Sequence, residues 1–134
     1  MALVRKAILL DTSVLIHLLH GHKEHTAIVR DLTLRGFILA TSSINIAEVY
    51  AGMRKGEESA TDELISGLES LSLTPKIAMK AGKISAARRR IGKTHTLDDM
   101  MIAATVIEYD YTLFTDNRKD FEIPEVDLFP ASNT

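Results

Sequence analysis

Apolar positions open the chain in a run that stops at an acid. Residues 4–10 (VRKAILL) are apolar or β-branched for most of their length and end at Asp11, which predicts a buried strand. Asp11, Thr12 and Ser13 each carry an oxygen suited to cap the helix predicted over 14–19. A second helix is predicted over 23–35, closed by Gly36, and a short strand over 37–40 (FILA). Thr41, Ser42 and Ser43 then offer caps for a helix over 44–54, with Ile46, Val49, Tyr50 and Met53 as its core stripe.

The second half continues the alternation. A helix is predicted over 57–70, a strand over 71–73, and a helix from Pro75 to Ile91 that ends at Gly92. Ile77, Ile84 and Ile91 mark its expected buried side, with Lys76, Lys80, Lys83 and Arg90 opposite. Residues 97–109 are apolar nearly all round, as in a helix packed on both sides, and strands follow at 111–115 and 126–129. Strands separated by helices imply an α/β fold, a three-layer α/β/α sandwich on a four- or five-stranded, mostly parallel sheet. No linker, repeat or low-complexity tract interrupts residues 1–134, so one domain is expected.

Composition narrows the function classes. Hydrophobic residues make up 46% and charged residues 25% of the 134, ordinary globular usage that argues against disorder. The absence of cysteine removes a disulfide scaffold, a thiolate zinc site and a cysteine nucleophile. No apolar run approaches the about 18 residues of a membrane span. The N-terminus lacks a signal-peptide pattern and reads as the first strand, which predicts a cytoplasmic protein without membrane association. Neither G-x-G-x-x-G nor G-x-x-x-x-G-K-[ST] occurs, which argues against a nucleotide-driven switch.

The formal net charge of -2 speaks against a nucleic-acid ligand until its distribution is considered. With Asp11, Glu48, Asp99 and Asp116 set aside, 14 acids face 16 bases. The stretch 76–93 holds Lys76, Lys80, Lys83, Arg88, Arg89, Arg90 and Lys93 with no acid, and reads either as a solvated face or as a phosphate-backbone track.

Those four acids fall where an open parallel sheet places its ligands, beyond the carboxyl ends of the strands. Asp11 and Asp116 each follow a predicted strand, Glu48 lies on the helix after the second strand, and Asp99 opens the helix before the fourth. Asn45, Glu48 and Gly52 share one side of their helix. Each acid also has an ordinary reading: Asp11 or Asp99 as a helix cap, Glu48 as an exposed glutamate, Asp116 as a turn residue. Taken together they describe carboxylates converging at one sheet edge, a donor set that needs a hard cation, Mg²⁺ or Mn²⁺. His17, His20, His22 and His25 look like a metal cluster, but Gly21 interrupts their helix; a solvated helix–turn is the preferred reading, with zinc binding or an antitoxin contact as the alternative. His95 reads as a loop histidine, or as a phosphate contact in the loop before Asp99.

The segments LLDTSVLI (9–16), SSINIAEVYAG (42–52), GKTHTLDDMMIAATV (92–106) and TLFTDNRKDFE (112–122) together resemble the PIN-domain nucleases. Within them the chain is similar to the small VapC-type toxins of prokaryotic toxin–antitoxin pairs. The resemblance implies that Asp11, Glu48 and Asp99 are catalytic and hold Mg²⁺ or Mn²⁺. Asp98 does not match, because the family aspartate is the one followed by two residues and then IAA. At the fourth position Asn117 matches the family's T-x-[DN] element, with the neighbouring Asp116 as a substitute ligand.

Thr12, Ser13, Asn45 and Thr115 match polar positions near the metal or its waters. Lys83, Arg88, Arg89, Arg90 and Lys93 are the candidate RNA-backbone contacts. Hydrolysis of RNA to 5′-phosphate and 3′-hydroxyl ends, a VapB-like antitoxin partner and a homodimer are further implications of the likeness. A haloacid-dehalogenase-type phosphatase fits less well, since Ser13 stands where its second acid belongs. A receiver domain also fits less well, since its phosphoacceptor would fall at Thr74 and Pro75. A PIN-like RNA-binding protein without strong catalysis remains the alternative.

Overall fold

The computed structural model describes residues 6–130, so the first part of the strand predicted over 4–10 lies outside the described residues. Strand β1 (Ala7–Leu10) is fully buried and leads directly into α1 (Thr12–Leu19) and α2 (Lys23–Leu34). Strand β2 (Ile38–Ser42) feeds α3 (Ser43–Ala51), and α4 (Glu58–Ser66) precedes β3 (Glu69–Leu71). The long α5 (Pro75–Arg90) and α6 (Leu97–Tyr109) follow, then β4 (Thr112–Phe114), a 3-10 turn (Arg118–Phe121) and β5 (Leu128–Phe129).

All strand pairs are parallel, in the order β3-β2-β1-β4-β5. Alternation along β1 divides the core. Ala7 and Leu9 join Ile77, Ala81, Met100, Ile102, Ala103 and Val106 of α5 and α6. Ile8 and Leu10 join Val14, Leu15, Leu32 and Val49 of α1, α2 and α3. Side chains of successive strand residues point to opposite faces, so a strand apolar at every position must be covered on both sides. The α/β/α layering follows from that.

Several boundaries differ from the sequence reading, each for a local reason. Strand β2 runs on to Ser42 because Thr41 and Ser42 continue the ladder with Ser70 and Leu71. Ser42 alone therefore caps α3, accepting from the Asn45 backbone N–H. The third strand lies at 69–71 rather than 71–73, because α4 stops at Gly67 and frees residues 69–71 to pair with 40–42. Helix α3 is rotated from the expected stripe: Ile44, Asn45 and Val49 are buried, while Ile46, Tyr50 and Met53 are half-buried. Ile91 is 65% exposed, since it sits at the C-cap of α5 where Gly92, at φ +78°, turns the chain away. Leu15 belongs to the core, whereas Ile16 is exposed.

Candidate active site

The chain passes from β1 to β2 and β3 on one side, then crosses to β4 and β5 on the other. Strand order thus reverses between β1 and β4, and the crevice beyond their carboxyl ends is where open parallel sheets bind ligands. Asp11 ends β1, and Thr115 and Asp116 follow β4.

Asp11 is 5% exposed and occupies the N-cap position of α1 without a side-chain cap bond. Its oxygens are held instead by two other buried groups. Thr115 Oγ1 donates to Oδ2 at 2.7 Å, and Asn45 Nδ2 donates to Oδ1 at 2.9 Å. Asn45 is fully buried, its Oδ1 accepting from Ser42 Oγ at 2.6 Å, so the N-cap of α3 also aims the amide at Asp11. Burial pushes the Asp11 carboxyl up, and the bonds from Thr115 and Asn45 only partly offset it.

Glu48 stands one turn along α3. Thr12 Oγ1 donates to Glu48 Oε1 at 2.7 Å and itself accepts from Asn45 Nδ2 at 2.9 Å, so one hydrogen-bonded chain joins Asp11 to Glu48. Burial raises the Glu48 carboxyl to about 7; the Thr12 bond works against this, while Asp98 and Asp11 reinforce it. Asp98, set aside on sequence grounds, thus shares a hydrogen bond with Glu48 that holds its own carboxyl below the ordinary range.

Asp99 is half-buried on the first turn of α6, where Thr96 is the cap, accepting from the Asp99 backbone N–H. Its carboxyl is raised by burial first, against the Thr96 bond, and then by the negative charges of Asp98, Asp120 and Asp11. Asp120 is the second acid the sequence reading did not select. It lies in the Asp–Phe pair of TLFTDNRKDFE, and the 3-10 turn after Asn117 carries it toward Asp99.

Asp116 has different company. His17 Nδ1 lies 2.7 Å from its Oδ2, and His25 Nε2 lies 2.9 Å from both of its oxygens. Burial opposes the charge, but these two histidines outweigh it and hold the carboxyl below its ordinary value. The solvated helix–turn expected for the histidines is therefore corrected. His25 is 7% exposed, and α1 and α2 fold back so that His17 and His25 both reach the end of β4. The Asp116 backbone N–H donates to Ser13 Oγ at 3.1 Å, and that of Asn117 donates to Thr115 Oγ1 at 3.0 Å.

The basic stretch divides in two. Lys76 and Lys80 pair with Glu108 at 2.6 and 3.3 Å. Arg88 donates to His95 Nε2 at 3.3 Å and to the Glu122 carbonyl at 2.9 Å, which gives both residues structural partners. Lys83, Arg89, Arg90 and Lys93 are exposed on the second half of α5 and the turn after it, shortly before Asp98 and Asp99.

Asp11, Glu48 and Asp99 fit a hard divalent cation by donor type: all are oxygen donors, and burial raises all three carboxyls. Among the described residues, the trio whose ligand atoms gather within 4.8 Å is His17, His25 and Asp116. Asp11, Glu48 and Asp99 do not form such a group among the described residues.

The PIN domain model matches residues 8–126, and the chain belongs to the PIN-domain family. It is 30% identical over 115 residues to ribonuclease VapC19 of Mycobacterium tuberculosis, covering 84% of this chain and 90% of that protein. Among solved structures it resembles VapBC2 from Rickettsia felis bound to a promoter DNA fragment, with TM-score 0.82 and 26% identity over 91% of this chain and 96% of that one. DNA-bound VapBC from Salmonella typhimurium gives TM-score 0.80 and 27% identity over the same shares. No helix among the described residues is long and apolar enough to cross a membrane.

Proposed function

We propose that the chain is a divalent-metal-dependent endoribonuclease, the toxin component of a toxin–antitoxin pair, that cuts RNA to leave 5′-phosphate and 3′-hydroxyl ends. The observation that carries this reading is the buried hydrogen-bonded chain Thr115–Asp11–Asn45–Thr12–Glu48, which anchors two carboxyls at the switch point while Asp99 faces the same negative field. Asp11, Glu48 and Asp99 would hold Mg²⁺ or Mn²⁺, directly or through water. Asp116 adds charge from the rim, where its field reaches Asp11, and Asn117 and Asp120 offer further oxygens. When bound, the cation lowers the pKa of a coordinated water and neutralises charge on the scissile phosphate.

The chain's own residues do the positioning. Thr115 and Asn45 fix the rotamer of Asp11, and Thr12 fixes that of Glu48, so the ligands are organised before the cation arrives. Lys83, Arg89, Arg90 and Lys93 would draw the phosphate backbone toward the start of α6, with Arg88 bracing the connection through His95 and Glu122. The apolar and largely exposed Leu34, Met79, Ile91 and Leu97 suit contacts with a VapB-like antitoxin or a second copy of the chain. The test is cleavage of a mixed set of single-stranded and hairpin RNAs with Mg²⁺, with Mn²⁺ and with EDTA, followed by end-group analysis. Metal-dependent products with 5′-phosphates support the reading; RNA bound but uncut with either metal refutes it in favour of an RNA-binding role.

A further inference from the structure

We propose that His17, His25 and Asp116 form a second metal site, distinct in chemistry from the all-oxygen acids, that takes a Zn²⁺-class transition-metal ion and staples the α1–α2 pair to the end of β4. The nuclease reading uses neither histidine. Three imidazoles nevertheless crowd onto one another here: the ring centroids of His17, His22 and His25 are 4.4–4.7 Å apart. One ligand atom from each of His17, His25 and Asp116 lies within 4.8 Å of the others. Two imidazoles and one carboxylate are a donor set suited to zinc, cobalt or nickel and poorly suited to Mg²⁺.

The surroundings meet the further requirements of such a site. Asp116 is ionised and accepts only, so His17 Nδ1 and His25 Nε2 carry hydrogens pointed at it. An ion takes the place of those hydrogens, each imidazole presenting a lone pair and bearing its proton on the opposite nitrogen. For His25 that nitrogen is Nδ1, which lies 2.8 Å from Nδ1 of His22, an outer partner able to fix the tautomer. Tetrahedral zinc wants its ligand atoms about 3.3 Å apart. The 2.7 and 2.9 Å histidine–Asp116 separations would open by about half an ångström, and ligand atoms of the two histidines already lie within 4.8 Å of each other.

His25 forms the floor of the site, stacked on Phe114 at 5.9 Å and an interplanar angle of 6°. The side chains of His17 and Asp116 are 39% and 31% exposed, which leaves an entry path and a fourth position open to water. The backbone bond from Asp116 to Ser13 Oγ ties the third ligand to α1. Filling the site would therefore cross-link α1, α2 and the segment that carries Thr115.

Calorimetric titration of the full chain with Zn²⁺, in millimolar excess of Mg²⁺, tests the proposal, with Co²⁺ absorption as a second readout. One Zn²⁺ per chain is expected, and visible Co²⁺ bands of a four- or five-coordinate nitrogen–oxygen site. His17→Ala and His25→Gln should each weaken Zn²⁺ binding by more than about 100-fold, and His22→Ala by about 10–100-fold, as for an outer-shell partner. Asp99→Asn should leave Zn²⁺ binding unchanged, which separates this site from the acids. His25 is buried, so circular dichroism must show its variant folded; the exposed His17 carries the test in any case. Zn²⁺ binding that survives His17→Ala, that is lost in Asp99→Asn, or that is no tighter than millimolar in the wild type overturns the proposal.

Discussion

Glu48→Gln isolates the proton that the metal-free site has to hold. The folded protein raises this carboxyl from 4.5 to about 7, chiefly by burial. Because the folded value lies above the unfolded one, the folded state binds more protons between those limits. Stability from this group is thus full below pH 4.5 and lost as pH rises to about 7. The full shift corresponds to a ceiling of about 3 kcal/mol, and screening at a half-buried side chain reduces it to about 1–2 kcal/mol.

Glutamine keeps the acceptor for Thr12 and gains N–H donors for Asp98, so it mimics the protonated acid at every pH. Urea denaturation in EDTA should find the two proteins equal near pH 4.5 and the variant more stable by about 1–2 kcal/mol at pH 8. Raised carboxyls at Asp11 and Asp99 act in the same direction in both proteins. Mg²⁺ should stabilise wild type at pH 8 more than the variant. Parallel stability curves across pH 4.5–8, or a variant less stable than wild type at pH 8, would refute a strained carboxyl at this position.

Asn45→Ala removes the amide that joins Asp11 to Thr12, so unfolding stability should fall by about 1–3 kcal/mol in denaturant and metal-dependent cleavage should fall with it. Leu9→Ala, on the central strand and fully buried, should cost about 2–5 kcal/mol in the same denaturation experiment. Arg89→Ala with Arg90→Ala should weaken RNA binding and lower the slope of log affinity against log salt by about 1–2, as read by filter binding or anisotropy. Lys76→Ala, which breaks an exposed pair with Glu108, should change stability by less than about 1 kcal/mol and leave that slope unaltered.

The sheet was legible because β1 is apolar at every position, which only burial on both faces explains. Helix α6 was legible for the same reason. Short elements were read less well: β3 has three residues, too few for alternation to set its ends, and pairing with β2 decides them. The rotation of α3 escaped because a buried asparagine breaks the apolar stripe; Asn45 faces inward for its bond to Asp11, which no helical period can reveal. Local pattern likewise hid the histidines. Gly21 does end the helix, yet His17 and His25 meet Asp116 across 99 and 91 residues of sequence. Asp98 does not match the motif that carries the family resemblance, and only the fold shows its hydrogen bond to Glu48. Asp120 stood inside a quoted motif, and its signal was the Asp–Phe pair itself.

Single-turnover cleavage of one RNA by wild type and Asp99→Asn, each freed of any antitoxin and loaded with Mn²⁺, bears on the metal reading without confusion from folding. Thr96 remains the cap of α6 in both proteins. Asparagine loses only the favourable interaction of a charge with the helix N-terminus, so stability should differ by less than about 1 kcal/mol. The expected result is a cleavage rate lower by at least about 100-fold at unchanged fold, since a neutral amide cannot replace a carboxylate that holds the cation. Equal rates for the two proteins would contradict a metal-bound role for Asp99 and, with it, the proposed active site.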